Sequence, residues 1–227
     1  MSTPQPFHPN QRRWLPEGTV YGTLLNFNRE FDLWAPKMTE APYKAAAKAP
    51  VLYVKTANTF APCGAEVPVQ GEVEVGASVG LVIGRADEAV KGWPAPVVGA
   101  VLLSDLSLPH DSYYRPAIRF RNRDRFLVCG ATPRTLATPA DVAKLKLTLR
   151  VNDMDAQTVD LSTLVRDAAT LLRDVGEFMT LQPGDVLMLG TDSLADGTRP
   201  RVKAGDRVEI SAPGFEPLTH TMTKEAP

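Results

Sequence analysis

Residues 97–126 read VVGAVLLSDLSLPHDSYYRPAIRFRNRDRF, and the rest of the chain is organised around them. The run 97–103 is apolar throughout, the pattern of a buried strand. It leads to Asp105, so the strand end delivers a single carboxylate. A loop with Pro109 follows, then Tyr113-Tyr114-Arg115-Pro116. Five arginines come within eleven residues: Arg115, Arg119, Arg121, Arg123 and Arg125. The planar guanidinium fork matches a carboxylate in two-point contact. One acid beside a tyrosine- and arginine-rich loop suits an anionic small molecule. The plainer alternative for so short a cluster is a solvated charged face.

Working outward, 51–55 (VLYVK) is a compact strand ending in Lys55. Residues 18–27 alternate enough for a strand, 72–74 can open another, and 79–83 is an apolar run closed by Gly84-Arg85. Beyond the central stretch, 126–130 and 145–151 read as strands. Asn152-Asp153 marks a hairpin turn, and 157–160 returns. Residues 161–179 carry one apolar stripe: Leu161, Leu164, Val165, Ala168, Leu171, Leu172, Val175, Phe178 and Met179. The spacing predicts the one long helix of the chain, capped by Asp160 or Ser162. Pro183-Gly184-Asp185 and Ala204-Gly205-Asp206 then each introduce a strand, 186–189 and 207–211, and 218–223 supplies the last. Many short strands and one long helix predict a β-rich α+β fold. The expected organisation is a flexible tail over 1–16 and one domain over 17–227, with a small N-terminal part (17–60) and a core (61–223).

The 227 residues carry 44% apolar and 22% charged side chains with a net charge of −1. That is ordinary for a globular protein with a real core. It offers no global field for nucleic acid or anionic membrane, so neither is expected as a partner. Cys63 and Cys129 lie in no CxxC pair, so neither a zinc site nor a disulfide framework is expected. The N-terminal residues lack the apolar core of a signal peptide, and the expected location is the cytoplasm.

The motifs in order are a strand ending in Lys55, a strand closed by Ile83-Gly84-Arg85, Asp105 followed by Tyr114-Arg115-Pro116, the run Glu177-Phe178-Met179-Thr180-Leu181, and Pro183-Gly184-Asp185 before Gly190-Thr191. This order resembles the fumarylacetoacetate hydrolase family over roughly residues 17–222. Residues 111–119 (DSYYRPAIR) with Arg123-Asp124 are similar to its isomerase/decarboxylase branch of homoprotocatechuate (4-hydroxyphenylacetate) degradation, in particular to a free-standing N-terminal half. The resemblance implies a mixed β-sheet roll and Mg²⁺ or Mn²⁺ held by carboxylates. It also implies chemistry of the 5-oxopent-3-ene-1,2,5-tricarboxylate decarboxylase or 2-hydroxyhepta-2,4-diene-1,7-dioate isomerase type. A homodimer, or a hetero-oligomer with a homologous subunit, goes with it.

The family's metal triad is a Glu-x-Glu on one strand and an Asp on the next. Asp105 matches the Asp. Counted back from Gly84, the two glutamate positions fall on Gly76 and Ser78. Glu72 and Glu74 form a Glu-x-Glu four residues too early, about 13 Å along a strand. They become ligands only if the strand register is shifted. Where active relatives carry a histidine after Leu-Asn, this chain has Glu30, so the resemblance makes Glu30 and Lys55 the catalytic candidates. Arg115, Arg119, Arg121, Arg123, Tyr114 and Thr191 are the expected substrate contacts. Two alternatives stay open: a non-catalytic partner of a metal-bearing homologous chain, and a fumarylacetoacetate- or acylpyruvate-type hydrolase.

Overall fold

The computed structural model describes residues 13–110 and 118–225. In chain order the strands are β1 (Val20–Leu24), β2 (Val51–Lys55), β3 (Phe60–Pro62), β4 (Glu66–Val69), β5 (Val73–Ile83), β6 (Val97–Ser107), β7 (Leu127–Cys129), β8 (Lys146–Val151), β9 (Met154–Asp160), β10 (Val186–Met188), β11 (Arg201–Val202), β12 (Arg207–Ser211) and β13 (Leu218–Lys224). The helices are short: α1 (Asn28–Trp34), α2 (Ile118–Arg121), α3 (Pro139–Val142) and α4 (Ala168–Gly176). Eight strands form one mixed sheet in the order β2-β1-β10-β5-β6-β7-β3, with β11 on β5; five form a second sheet, β4-β13-β12-β8-β9. This is the β-rich α+β roll that the sequence predicts. Among the described residues no helix is long and apolar enough to cross a membrane.

The antiparallel pair β5–β6 is the spine, with Gly76 opposite Asp105 and Gly80 opposite Val101. Side chains alternate along a strand. Val75, Ala77, Val79 and Leu81 of β5 therefore share the main core with Ala100, Leu102 and Leu106 of β6. The opposite face of β5 carries Gly76, Ser78 and Gly80, small residues that let other segments come close. A Cβ on Gly80 would lie 2.6 Å from both Leu103 Cδ1 and Val186 Cγ1.

The sheet is strongly curled. β2 and β6 are separated by β1, β10 and β5, about 19 Å in a flat sheet. Yet Lys55 of β2 touches Asp105 of β6 directly, at 2.6 Å. Curling turns an edge strand back over the centre, and that closure creates the site.

The helix expected over 161–179 is cut short. Leu161–Thr163 is a single 3-10 turn, capped where Asp160 Oδ1 accepts from Ser162 N. The chain then runs extended, with Leu164 bridging Phe27 and Val165 N donating to Asn26 O. The α-helix starts only after Asp167, whose carboxylate accepts from Thr170 N at 2.7 Å. The apolar spacing is real, since Leu161, Ala168, Leu171, Leu172 and Val175 are all buried. A tertiary strand-like contact, however, outcompetes helix for 164–167, and Phe178 at its far end is 60% exposed. Residues 86–88 form a turn. Residues 73–74 and 79–83 belong to one eleven-residue strand, and Glu72 lies just before it. Residues 1–12 of the expected tail lie outside the described residues. Residues 13–16 are attached: Trp14 N donates to Ala131 O, its ring joins a core cluster, and Pro16 is buried.

Candidate functional site

The site is built on Asp105, whose carboxylate is enclosed by three groups from β2 and α2. Lys55 Nζ stands 2.6 Å from Oδ1, and both side chains are essentially inaccessible. The ammonium also donates to Leu106 O at 2.9 Å, Arg121 O at 2.6 Å and Phe126 O at 2.9 Å. Its three hydrogens are thus directed at carbonyls. Oδ1 receives charge from Lys55 rather than an aligned hydrogen bond. Arg121 Nη1 donates to Oδ2 at 3.0 Å, and the Tyr53 hydroxyl donates to the same oxygen. The Arg121 guanidinium lies 4.6 Å over the Tyr53 ring.

The protonation states follow from these contacts. Burial pushes the Asp105 carboxyl up, but Lys55 and Arg121 together outweigh it and hold the group below the ordinary range. Burial pulls Lys55 down to about 8, with Asp105 opposing. Tyr53 is raised well above its usual value, by burial first and by Asp105 second, so it stays a phenol donor.

A second buried pair adjoins the first. Glu30, on α1, accepts from Leu25 N at 2.9 Å through Oε2 and pairs through Oε1 with Arg199 Nη2. Leu25 has a positive φ of 58°, and the Glu30 carboxylate holds that strained turn. Arg199 Nε donates to Thr191 Oγ1 at 3.3 Å. Thr191 in turn fills the space beside Gly76: a Cβ there would lie 2.4 Å from Thr191 Cγ2. Ser78 Oγ donates to Gly190 O at 2.7 Å. Asp192 stands 3.7 Å from Arg29, and burial raises its carboxyl. His110 stacks on Phe120 with ring centroids 5.1 Å apart, and burial lowers its imidazole.

Lys55, Asp105 and Arg121 are therefore brought together, with Glu30 and Thr191 next to them. Among the described residues, Arg119, Arg123, Glu72 and Glu74 are not. Arg119 is exposed on α2, and Arg123 Nη2 pairs with Glu225 Oε2 at 3.0 Å on the surface. Tyr114 and Arg115 lie outside the described residues. Glu72 is an exposed partner of Arg201 at 3.3 Å. Glu74 pairs in the ladder with Ser107, two residues beyond Asp105. The β5–β6 register runs unbroken from Glu74 to Val82, so no bulge carries either glutamate to Asp105. Glu30 is engaged by Arg199 and by the Leu25 amide beside this cluster.

Two residues of the cluster escaped the sequence reading. Tyr53 precedes Lys55 by two positions on one strand, so the period of two puts both on one face and could have revealed it. Gly22 makes room for its ring, since a Cβ there would lie 2.1 Å from Tyr53 Cζ. Arg199 sits in an irregular loop with no periodic signal.

A divalent cation in the family's pattern needs three carboxylates around one point. The donor set does not fit. The glutamate positions are Gly76 and Ser78, the first is filled by the Thr191 side chain, and Asp105 faces two cations and a phenol. Among the described residues, no three His, Cys, Asp or Glu side chains converge.

Known proteins place this arrangement in context. The 4-hydroxyphenylacetate degradation bifunctional isomerase/decarboxylase of Escherichia coli is 36% identical over 213 residues, covering 92% of this chain and 48% of that protein. The chain thus spans about half the length of that relative. The 5-carboxymethyl-2-hydroxymuconate delta-isomerase of Mycobacterium smegmatis superposes with a TM-score of 0.71 at 23% identity, covering 92% of this chain and 80% of that one. The fumarylpyruvate hydrolase of Pseudomonas aeruginosa, solved with Mn²⁺ and pyruvate, gives 0.67 at 19% identity, covering 96% and 94%. The family profile described as fumarylacetoacetate (FAA) hydrolase C-terminal matches residues 19–223, and the chain belongs to that family.

Proposed function

We propose that this chain is a cytoplasmic subunit of an isomerase/decarboxylase of the 4-hydroxyphenylacetate type, acting on unsaturated oxo-carboxylates. Within that assembly it is the half without a divalent cation, paired with a homologous half that holds one. The observation that carries this reading is the state of Asp105. Its carboxylate is neutralised by Lys55 and Arg121, and the strand beside it offers Gly76 and Ser78. The half-length match to the E. coli isomerase/decarboxylase supports the pairing.

In this reading the residues have separate tasks. Lys55 locks β2 onto the backbone of β6 and the turn before β7, and so keeps the roll closed. Asp105 aligns the Arg121 fork and receives the Tyr53 proton donor. The cationic lining orients substrate carboxylates.

The test is turnover of 2-hydroxyhepta-2,4-diene-1,7-dioate, followed by loss of its conjugated absorbance. It compares this chain alone, a homologous metal-bearing half alone, and the two mixed, with co-elution on gel filtration. The expected result is co-elution and faster turnover by the pair than by either half. Mn²⁺-dependent turnover by this chain alone refutes the assignment of the cation to the other half. Absence of both co-elution and stimulation refutes the pairing.

A further inference from the structure

Two clefts beside the end of β13 combine open space with uncommitted cations. One, of about 580 Å³, is lined by Pro68, Arg123, Asp124, Arg125 and Glu225. The other, of about 560 Å³, is lined among others by Val69, Lys203, Ala204, Lys224 and Glu225. Glu225 borders both, and Pro68 and Val69 are consecutive on β4, so the clefts form one groove along the β4–β13 pair. Neither is lined by Lys55, Asp105 or Arg121. The Arg123–Arg125 turn is fixed from both ends. Lys55 Nζ holds the carbonyls of Arg121 and Phe126 at 2.6 and 2.9 Å, and Arg125 N donates to Asn58 O at 3.0 Å. Arg125 has a positive φ of 62°, a strained conformation for an arginine that this anchoring sustains. Asp124 Oδ1 accepts from Asn58 Nδ2 at 2.8 Å. Arg123 Nη2 serves both oxygens of Glu225, at 3.0 and 3.3 Å, so that cation and that acid cancel. Arg125 gives only Nη1, to Glu66 O at 2.8 Å. Among the described residues, the ammonium groups of Lys203 and Lys224 have no acid or acceptor partner, and both side chains are exposed.

We propose that this groove binds an organic dicarboxylate, with Arg125 receiving one carboxylate and Lys203 and Lys224 the other. A guanidinium meets a carboxylate in planar contact, and the ammonium groups act as point charges. Between these ends stand Pro68, Val69, Ala204 and the methylene stems of the lysines. That wall suits a carbon chain better than a compact inorganic anion. The Glu225 carboxylate on Arg123 shows the same recognition within the chain. With Glu225 neutralised, Arg125, Lys203 and Lys224 outweigh Asp124, and the groove is positive in a chain whose net charge is −1. It is a site apart from the Asp105 cluster and does not depend on the pairing of halves.

The test is calorimetric titration of the full chain at low salt with adipate, hexanoate and inorganic phosphate. Hexanoate has the same chain length as adipate and a single carboxylate. Adipate should bind more tightly than either of the others. R125Q should weaken adipate by up to about fivefold, and the K203Q/K224Q double variant by about fivefold or more. These three side chains are exposed, so the variants should fold. E225Q removes an acid and frees Arg123, and it should tighten binding several-fold. R85Q, in an exposed pair with Asp87, should bind as wild type. Adipate no tighter than hexanoate overturns the proposal, and so does unchanged affinity in both R125Q and K203Q/K224Q. Weakening by R85Q equal to that by R125Q reduces the effect to general charge and overturns it too. Phosphate as tight as adipate overturns the choice of an organic acid. Co-elution of the two halves is read separately, so failure here leaves that pairing standing.

Discussion

Lys55→Met isolates the contact that closes the roll. Methionine keeps an unbranched stem of similar length, so the apolar packing of the side chain changes little. What is lost is the ammonium, which touches Asp105 Oδ1 at 2.6 Å and serves three carbonyls at 2.6–2.9 Å. Removing one partner of a buried ion pair costs about 3–5 kcal/mol, because the other charge is left under-compensated. Arg121 and Tyr53 still serve Asp105 Oδ2, which pulls the figure down. The three abandoned carbonyls push it up, each by about 1 kcal/mol. The expected loss is about 4 kcal/mol, or roughly 8–16 °C in Tm for a chain of this size. Urea titrations of wild type, K55M, D105N and the double variant give the cycle. The two single losses should exceed the double by about 2 kcal/mol or more, because the pair is coupled. A K55M loss below about 1 kcal/mol, or strict additivity, would refute the idea that this ion pair clamps β2 onto β6.

Three further outcomes follow from single contacts. His220 is buried with Nε2 2.9 Å from Ser104 Oγ, and burial lowers its imidazole to about 3. Because the folded value lies below the unfolded one of about 6.5, the unfolded state binds the extra proton between them and stability falls as pH drops through that window, by about 3 kcal/mol at pH 4.5; H220Q should flatten this part of the pH–stability curve in urea unfolding. Gly76→Ala should cost about 1–3 kcal/mol through collision with Thr191, and T191S in that background should recover part of the Tm by removing the methyl. Asp185 accepts from Thr19 N at 2.7 Å and Gln182 N at 2.8 Å, tying β1 to the turn before β10. Asp185→Ala should lose about 1–3 kcal/mol in thermal melts, since two amide donors lose their acceptor.

Much of the fold was legible along the chain. The apolar run into Asp105, the strand ending in Lys55, the hairpin at Asn152-Asp153 and the Pro-Gly-Asp turn all carry local signals of period two or of turn chemistry. The structure bears them out in β6, β2, β8–β9 and β10. These features depend on near neighbours, so sequence order is enough to read them. The helix over 161–179 was misjudged for the converse reason. Its apolar spacing serves core burial equally well in a helix and in an extended segment, and the choice fell to a partner far away in sequence, the stretch around Asn26 and Phe27.

The site divides in the same way. Residue counting along one strand already put Gly76 and Ser78 where acids would have to stand, and it left Glu72 and Glu74 out of register. Nothing in the order of residues tells which arginine of the cluster turns inward. Arg121 is buried on Asp105, Arg123 goes to Glu225 at the surface, and Arg199 arrives from a remote loop to meet Glu30. Those outcomes depend on the curl of the sheet, which brings β2 across β6, and on the close approach that Gly22 and Gly76 permit. Strand identity is a local property and was written in the sequence. The pairing of buried charges is set by where distant segments meet, and only the tertiary structure decided it.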